Sequence, residues 1–156
     1  MDAFALARAA HVLAVVHWIG GVAMVTLVIL PAVARMAVPA ERLAAFEAIE
    51  GRFGAQARVS TQVAGLSGLW MLWETDGWGL FLDPAHWWLH LMVAVWAVFT
   101  LVLFVAEPLW LHRWFHIRAG RDPVGTFALV QRLHRVLLAV STLAVAGAVL
   151  GAHGGL

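Results

Sequence analysis

Eight histidines stand among 156 residues, and they are the side chains best suited to chemistry in this chain. Cysteine and tyrosine are both absent, which excludes thiolate catalysis, iron–sulfur ligation, disulfides, covalently attached haem and tyrosyl chemistry. An imidazole inside a bilayer is costly and marks function by default. Five of the eight, His11, His17, His86, His90 and His153, collect toward one membrane face when the apolar stretches are threaded across a bilayer. A b-type haem takes two imidazoles from facing helices at one depth. His11 lies about seven residues into the first apolar stretch and His90 about four residues into the third, so their depths agree within about 5 Å. They are the expected axial pair. His86 shares a helical face with His90 at i,i+4, where it can substitute as a ligand or line the entrance. His17 lies about 9 Å deeper than His11 and about 120° around the helix, so the two cannot both face one haem centre. Which of them ligates stays open, and His153 is a further metal-ligand candidate. Arg8, the only arginine toward that face, is the expected partner of haem propionates, and Trp87 or Trp88 is a candidate to pack on a haem edge.

The other three histidines lie toward the opposite face. His112 and His116 share a helical face but sit among Trp110, Arg113, Trp114 and Arg118, which reads as an interfacial belt. His134 lies between arginines at 132 and 135 and reads the same way. The alternative is a second haem held by His134 with His112 or His116.

The elements that must position these side chains are legible in the hydropathy. The chain is 63% hydrophobic and 12% charged, and its mean hydropathy is +0.87. Soluble domains are about 45–50% apolar and about 25% charged. A soluble chain this short could not hide that much apolar surface. Four apolar stretches, at about 4–33, 59–73, 87–111 and 124–150, are set against the roughly 20 residues that a membrane helix needs; the second is shorter, and its helix is expected to extend back through Phe53. The expected fold is an all-α integral membrane protein, a single domain over 1–156 built as a four-transmembrane-helix bundle. Ala32-Val33-Ala34 mimics a signal-peptide cleavage site, but the apolar run is about twice the usual length and opens on Asp2, so it reads as a retained span.

All ten basic residues are arginine, and there is no lysine. Nine fall between spans one and two, between spans three and four, or early in span four, and only Arg8 falls outside them. Positive charge marks the cytoplasmic side, so both termini and the Glu74–Ala85 loop are expected to face outward. Between spans one and two, Pro39 and Glu41 suit a helix start, and Leu43, Phe46, Ile49 and Phe53 recur at helical spacing. This predicts a short amphipathic cytoplasmic helix that leads into span two. Asp122 and Pro123 predict the start of span four. A formal net charge of +1 gives no case for nucleic-acid binding. Nine tryptophans suit interfacial belts. Gly147 and Gly151 form a small-xxx-small pair, suited to packing within the chain or to a homo-oligomer through span four.

The segment HVLAVVHWIGGVAMVTLVILP, His11 through Pro31, resembles the first span of copper-resistance D (CopD) type membrane proteins and of the bacterial membrane protoporphyrinogen oxidase (HemJ) type. In those a His precedes a Trp by seven positions, followed by small residues and a Pro. Here these are His11, Trp18, Gly20-Gly21 and Pro31. Gly65-Leu66-Ser67-Gly68-Leu69-Trp70 is similar to the second span of that family, and Trp88-Leu89-His90-Leu91 resembles its third-span start, where Trp-Leu precedes a Lys or His. The resemblance implies a four-helix bundle that binds haem b, with His11 as one ligand. The oxidase type uses a lysine on span three; this chain has none, and His90 would take that place. Its fourth span begins Gln131-Arg132-Leu133-His134-Arg135, unlike the acid-containing start of the oxidase type.

The expected function is therefore a cytochrome b-like membrane protein in a bacterial inner membrane. Its bis-His haem b would pass electrons between quinone or another redox protein and an acceptor at the outer face. Three alternatives stand beside it: a haem-dependent protoporphyrinogen-oxidase-like enzyme, copper binding or transport through the same histidines, and a structural subunit of a membrane complex. Whether the chain is an enzyme stays open; if it is, it is an oxidoreductase.

Overall fold

Proline placement and apolar run length dictate four long helices, and the computed structural model, which describes residues 2–153, contains them. They are α1 (Ala3–Ala34), α2 (Pro39–Glu74), α3 (Pro84–Arg121) and α4 (Pro123–Ala152). No strand occurs among the described residues. Short connections fold successive helices back on one another. Ala3, Glu74, Trp87 and Ala152 therefore share one end, called here the terminal end. Ala34, Pro39, Arg121 and Pro123 share the other, the arginine-rich end.

Helices α1, α3 and α4 are long and apolar enough to cross a membrane. The second helix is less apolar because Ser60, Thr61, Gln62 and Ser67 interrupt its hydrophobic run. Ser60, Thr61 and Ser67 are buried, so this polarity faces the other helices. The amphipathic stretch and the expected second span are one continuous helix. No proline falls between Ala40 and Glu74, so the backbone ladder has no reason to break. Leu43 and Phe46 are buried in the bundle, while Ile49 stays exposed.

Two core clusters hold the bundle together. One joins Ala14, Trp18 and Val22 to Ala57, Ala64, Val95, Phe99 and Ala144. The Trp18 and Phe99 rings meet edge to face at 4.8 Å, the arrangement that aromatic quadrupoles favour. The other lies toward the arginine-rich end and joins Val25, Leu30 and Val33 to Leu43, Phe46, Phe127 and Val130.

Prolines explain the irregular backbone. Pro31 follows a π-helical stretch at Val25–Ile29, and Pro108 lies inside another at Val102–Leu111. A proline ring collides with the carbonyl four residues back, and a wider turn relieves it. In a π-turn the carbonyl five residues back, Leu103, would bond the N–H that Pro108 lacks. The Arg58 Nε donates to that carbonyl at 3.2 Å. Its other arm pairs with Glu107 at 3.1 Å. Asp122 caps α4 by accepting from the Gly125 N–H at 2.8 Å. The helix α3 runs ten residues past the expected end of its span, through His112–Arg121.

Candidate functional site

Of the five terminal-end histidines, His11 alone enters the helix interface. It lies on the face of α1 that carries Ala14 and Trp18, which are buried. Its partner is α2. The His11 Nδ1 is 2.8 Å from the Ala64 carbonyl and 3.3 Å from the Ser67 hydroxyl. A carbonyl only accepts, so Nδ1 carries the proton and Nε2 is left as the basic nitrogen. No described residue hydrogen-bonds to that Nε2. Gly68 makes this approach feasible, because a Cβ there would stand 3.2 Å from the His11 ring. Beside Ser67 a shallow apolar groove of about 480 Å³ runs between the two helices, lined by Leu6, Ala7, Leu66 and Trp70 among others.

The other four point elsewhere. On α3 the buried residues are Leu89, Val95 and Phe99. His90 falls about 180° from Phe99 around that helix. It is exposed and packs edge-on against Phe81 at 5.3 Å. The structure thus does not aim His90 at His11 across the bundle. Met92 of α3 carries a metal-ligating sulfur and packs against the cluster containing Ala14 and Trp18. His17 is exposed on the outer face of α1. His86 is held locally by Asp83 at 3.1 Å. The exposed His153 turns its Nδ1 onto Val149 of its own helix at 2.8 Å.

The remaining proposed contributors divide. Arg8 sits one turn outward from His11, with its guanidinium 5.8 Å from the Phe4 ring centre. Trp88 and Trp87 fill the seam opposite Gly147, and Trp88 also covers Gly151. That glycine pair is therefore occupied within the chain.

The arginine-rich end assembles a group that the sequence only hinted at. His112 Nδ1 and His116 Nε2 lie 3.6 and 3.1 Å from one carboxylate oxygen of Glu47. The two rings stand 4.4 Å apart. Next to them Glu50 lies 3.9 Å from His134 Nε2. Burial, then the nearby Glu107 and Glu47 carboxylates, push the Glu50 carboxyl up to about 7. The i,i+4 spacing of His112 and His116 was visible beforehand. Glu47 was not, because its position over them depends on how α2 packs on α3. With this geometry in view, no protein-family model, no curated protein and no solved structure matches the chain.

Proposed function

We propose that this chain is a membrane haem b protein that transfers electrons, with His11 as an axial ligand. The observation that carries the reading is the state of His11. Metal-ligating histidines characteristically donate the second ring N–H to a carbonyl or carboxylate, which fixes the tautomer and raises the basicity of the other nitrogen. His11 does this toward Ala64. The fit on α3 favours Met92 over His90 as the second ligand, because Met92 lies on the inward face. Met/His ligation is an established pairing for haem iron and raises its potential. When bound, the haem supplies one-electron chemistry between its ferrous and ferric states. The residues of this chain supply the rest: Ala64 and Ser67 orient the His11 ring, Gly68 leaves it room, and Arg8 offers a cation to propionates.

The same reading makes α2 a fourth membrane span, with its first turns near the cytoplasmic surface. It places both termini outside the bacterial inner membrane, because nine of the ten arginines then lie inside. The groove beside Ser67 is open and apolar, which suits a quinone or a similar lipid-soluble electron donor. The likeness to the CopD and HemJ types supports His11 and rests on the residues quoted for it.

The test is an optical spectrum of the purified protein, oxidised and reduced. The expected result is a sharp reduced α-band. Met92→Leu should convert low-spin haem to high-spin while retaining pigment, and His90→Ala should leave the band unchanged. A preparation that stays colourless after haem supplementation would end the proposal. Loss of low-spin character in His90→Ala, with Met92→Leu unaffected, would restore the bis-His pair.

A further inference from the structure

The Glu47, His112 and His116 cluster has a geometry that side-chain pairing alone does not require. We infer that these three residues bind one divalent cation of the zinc and copper class at the arginine-rich end. Their ligating atoms all lie within 4.8 Å of one another. Two of the separations are 3.6 and 3.1 Å. Four ligands at bonds of about 2.1 Å around a tetrahedral ion stand about 3.4 Å apart along each edge. The two separations from Glu47 are therefore close to the spacing that an ion between them would impose, and the third lies within 4.8 Å.

The donor set decides the class of metal. Two imidazoles and one carboxylate suit zinc, copper, nickel or cobalt, whereas magnesium and calcium take oxygen ligands. Three protein ligands leave one position for water, the arrangement of sites that exchange or activate a ligand. Exposure agrees: the His112 and His116 side chains are 65% and 50% open, while Glu47 is 23% open and anchors the group. The ion is thus reachable from the aqueous side.

Position gives the site a consequence. Glu47 belongs to the first turns of α2, and the two histidines to the last turns of α3, beyond Pro108. A bound ion ties those two helix ends together. Its binding energy adds to the folded state by mass action, so the unfolding temperature should rise with metal concentration. This site is separate from His11, at the opposite end of the bundle, and stands or falls independently of the haem reading.

The experiment uses the full chain in detergent, treated with chelator and titrated with zinc chloride by calorimetry. The expected result is one equivalent bound, with magnesium giving no heat. Cobalt should produce the visible absorption of a tetrahedral site. His112→Ala/His116→Ala together, or Glu47→Gln alone, should weaken zinc binding by about ten-fold or more. His153→Ala should leave it unchanged. Glu47→Gln keeps the side-chain shape, so it reports even if the histidine double variant folds poorly. The inference is overturned if the wild-type chain takes up no zinc. It is equally overturned if both sets of variants bind zinc as the wild type does.

Discussion

At the terminal end, one histidine is tied to a backbone carbonyl of another helix and its neighbours are scattered. His11 gives its Nδ1 proton to Ala64, while His17, His86, His90 and His153 lie on exposed faces or bond locally. At the arginine-rich end, His112, His116 and His134 all meet carboxylates of α2. The first arrangement leaves an imidazole whose Nε2 bonds to no described residue, among apolar neighbours, which suits a large hydrophobic cofactor. The second gathers charge and open coordination near water, which suits a small cation. Histidine abundance is the same signal in both places, and partner chemistry makes the difference.

The sharpest way to break this contrast is to remove one imidazole from each end. On the proposed haem reading, His11→Ala should abolish haem retention, read as the reduced α-band per protein, while His112→Ala should retain it. If His112→Ala loses the pigment and His11→Ala does not, the two ends have been assigned the wrong way round.

A smaller effect comes from crowding. Gly68→Val would drive a side chain into the His11 ring and should cost about 1–3 kcal/mol. The loss should be visible as a lower unfolding temperature in detergent, with pigment falling in parallel. At the other end, Gly120 has open space where a Cβ would stand. Gly120→Ala should instead gain up to about 1 kcal/mol from helix propensity. Equal destabilisation by both would argue against a tight His11–Gly68 contact.

Next comes the brace between α2 and α3. Arg58→Ala leaves the Leu103 carbonyl beside Pro108 without its donor and unpairs Glu107. A loss of about 1–2 kcal/mol is expected in denaturant or thermal unfolding. Arg58→Lys should recover only part of it, since an ammonium lacks the planar fork that serves both acceptors.

The smallest expected effect is a pH dependence specific to the arginine-rich end. The folded chain holds the Glu50 proton up to about pH 7, whereas an unfolded glutamate loses it near about 4.3. The folded state thus binds more protons between those values. The Glu50 contribution to stability is fully present below the lower value and declines as pH rises through the upper one. Part of the Glu50 side chain is open, at 42%, so solvent will soften the slope. Glu50→Gln should flatten stability across that window, and an unaltered profile would remove the cause assigned to it.

Much of this fold was readable from one dimension. The first and fourth helices fall within a few residues of their apolar stretches. Asp122-Pro123 started α4 as expected. The stretch before span two reads as a helix that leads into it, and Pro39–Glu74 is one unbroken helix. One boundary was not readable. The third span continued through His112–Arg121 because Pro108 bends the ladder without ending it. Depth pairs His11 with His90, and depth survives threading. Azimuth does not, since which side of a helix faces its neighbours is set by packing.

By itself the sequence determined an all-helical chain with long apolar helices, one arginine-rich end, and histidines sorted to two depths. Hydropathy and charge are properties of each residue, so they accumulate along the chain without knowledge of neighbours. Only the tertiary structure decided that His11 meets α2, that His90 turns away from it, and that Glu47 lies over His112 and His116. Those facts depend on how far each helix rotates about its axis. Ridges and small residues of the partner helix set that rotation. Glycine at 68 and alanine at 64 let α1 approach closely enough for an imidazole to reach a backbone carbonyl.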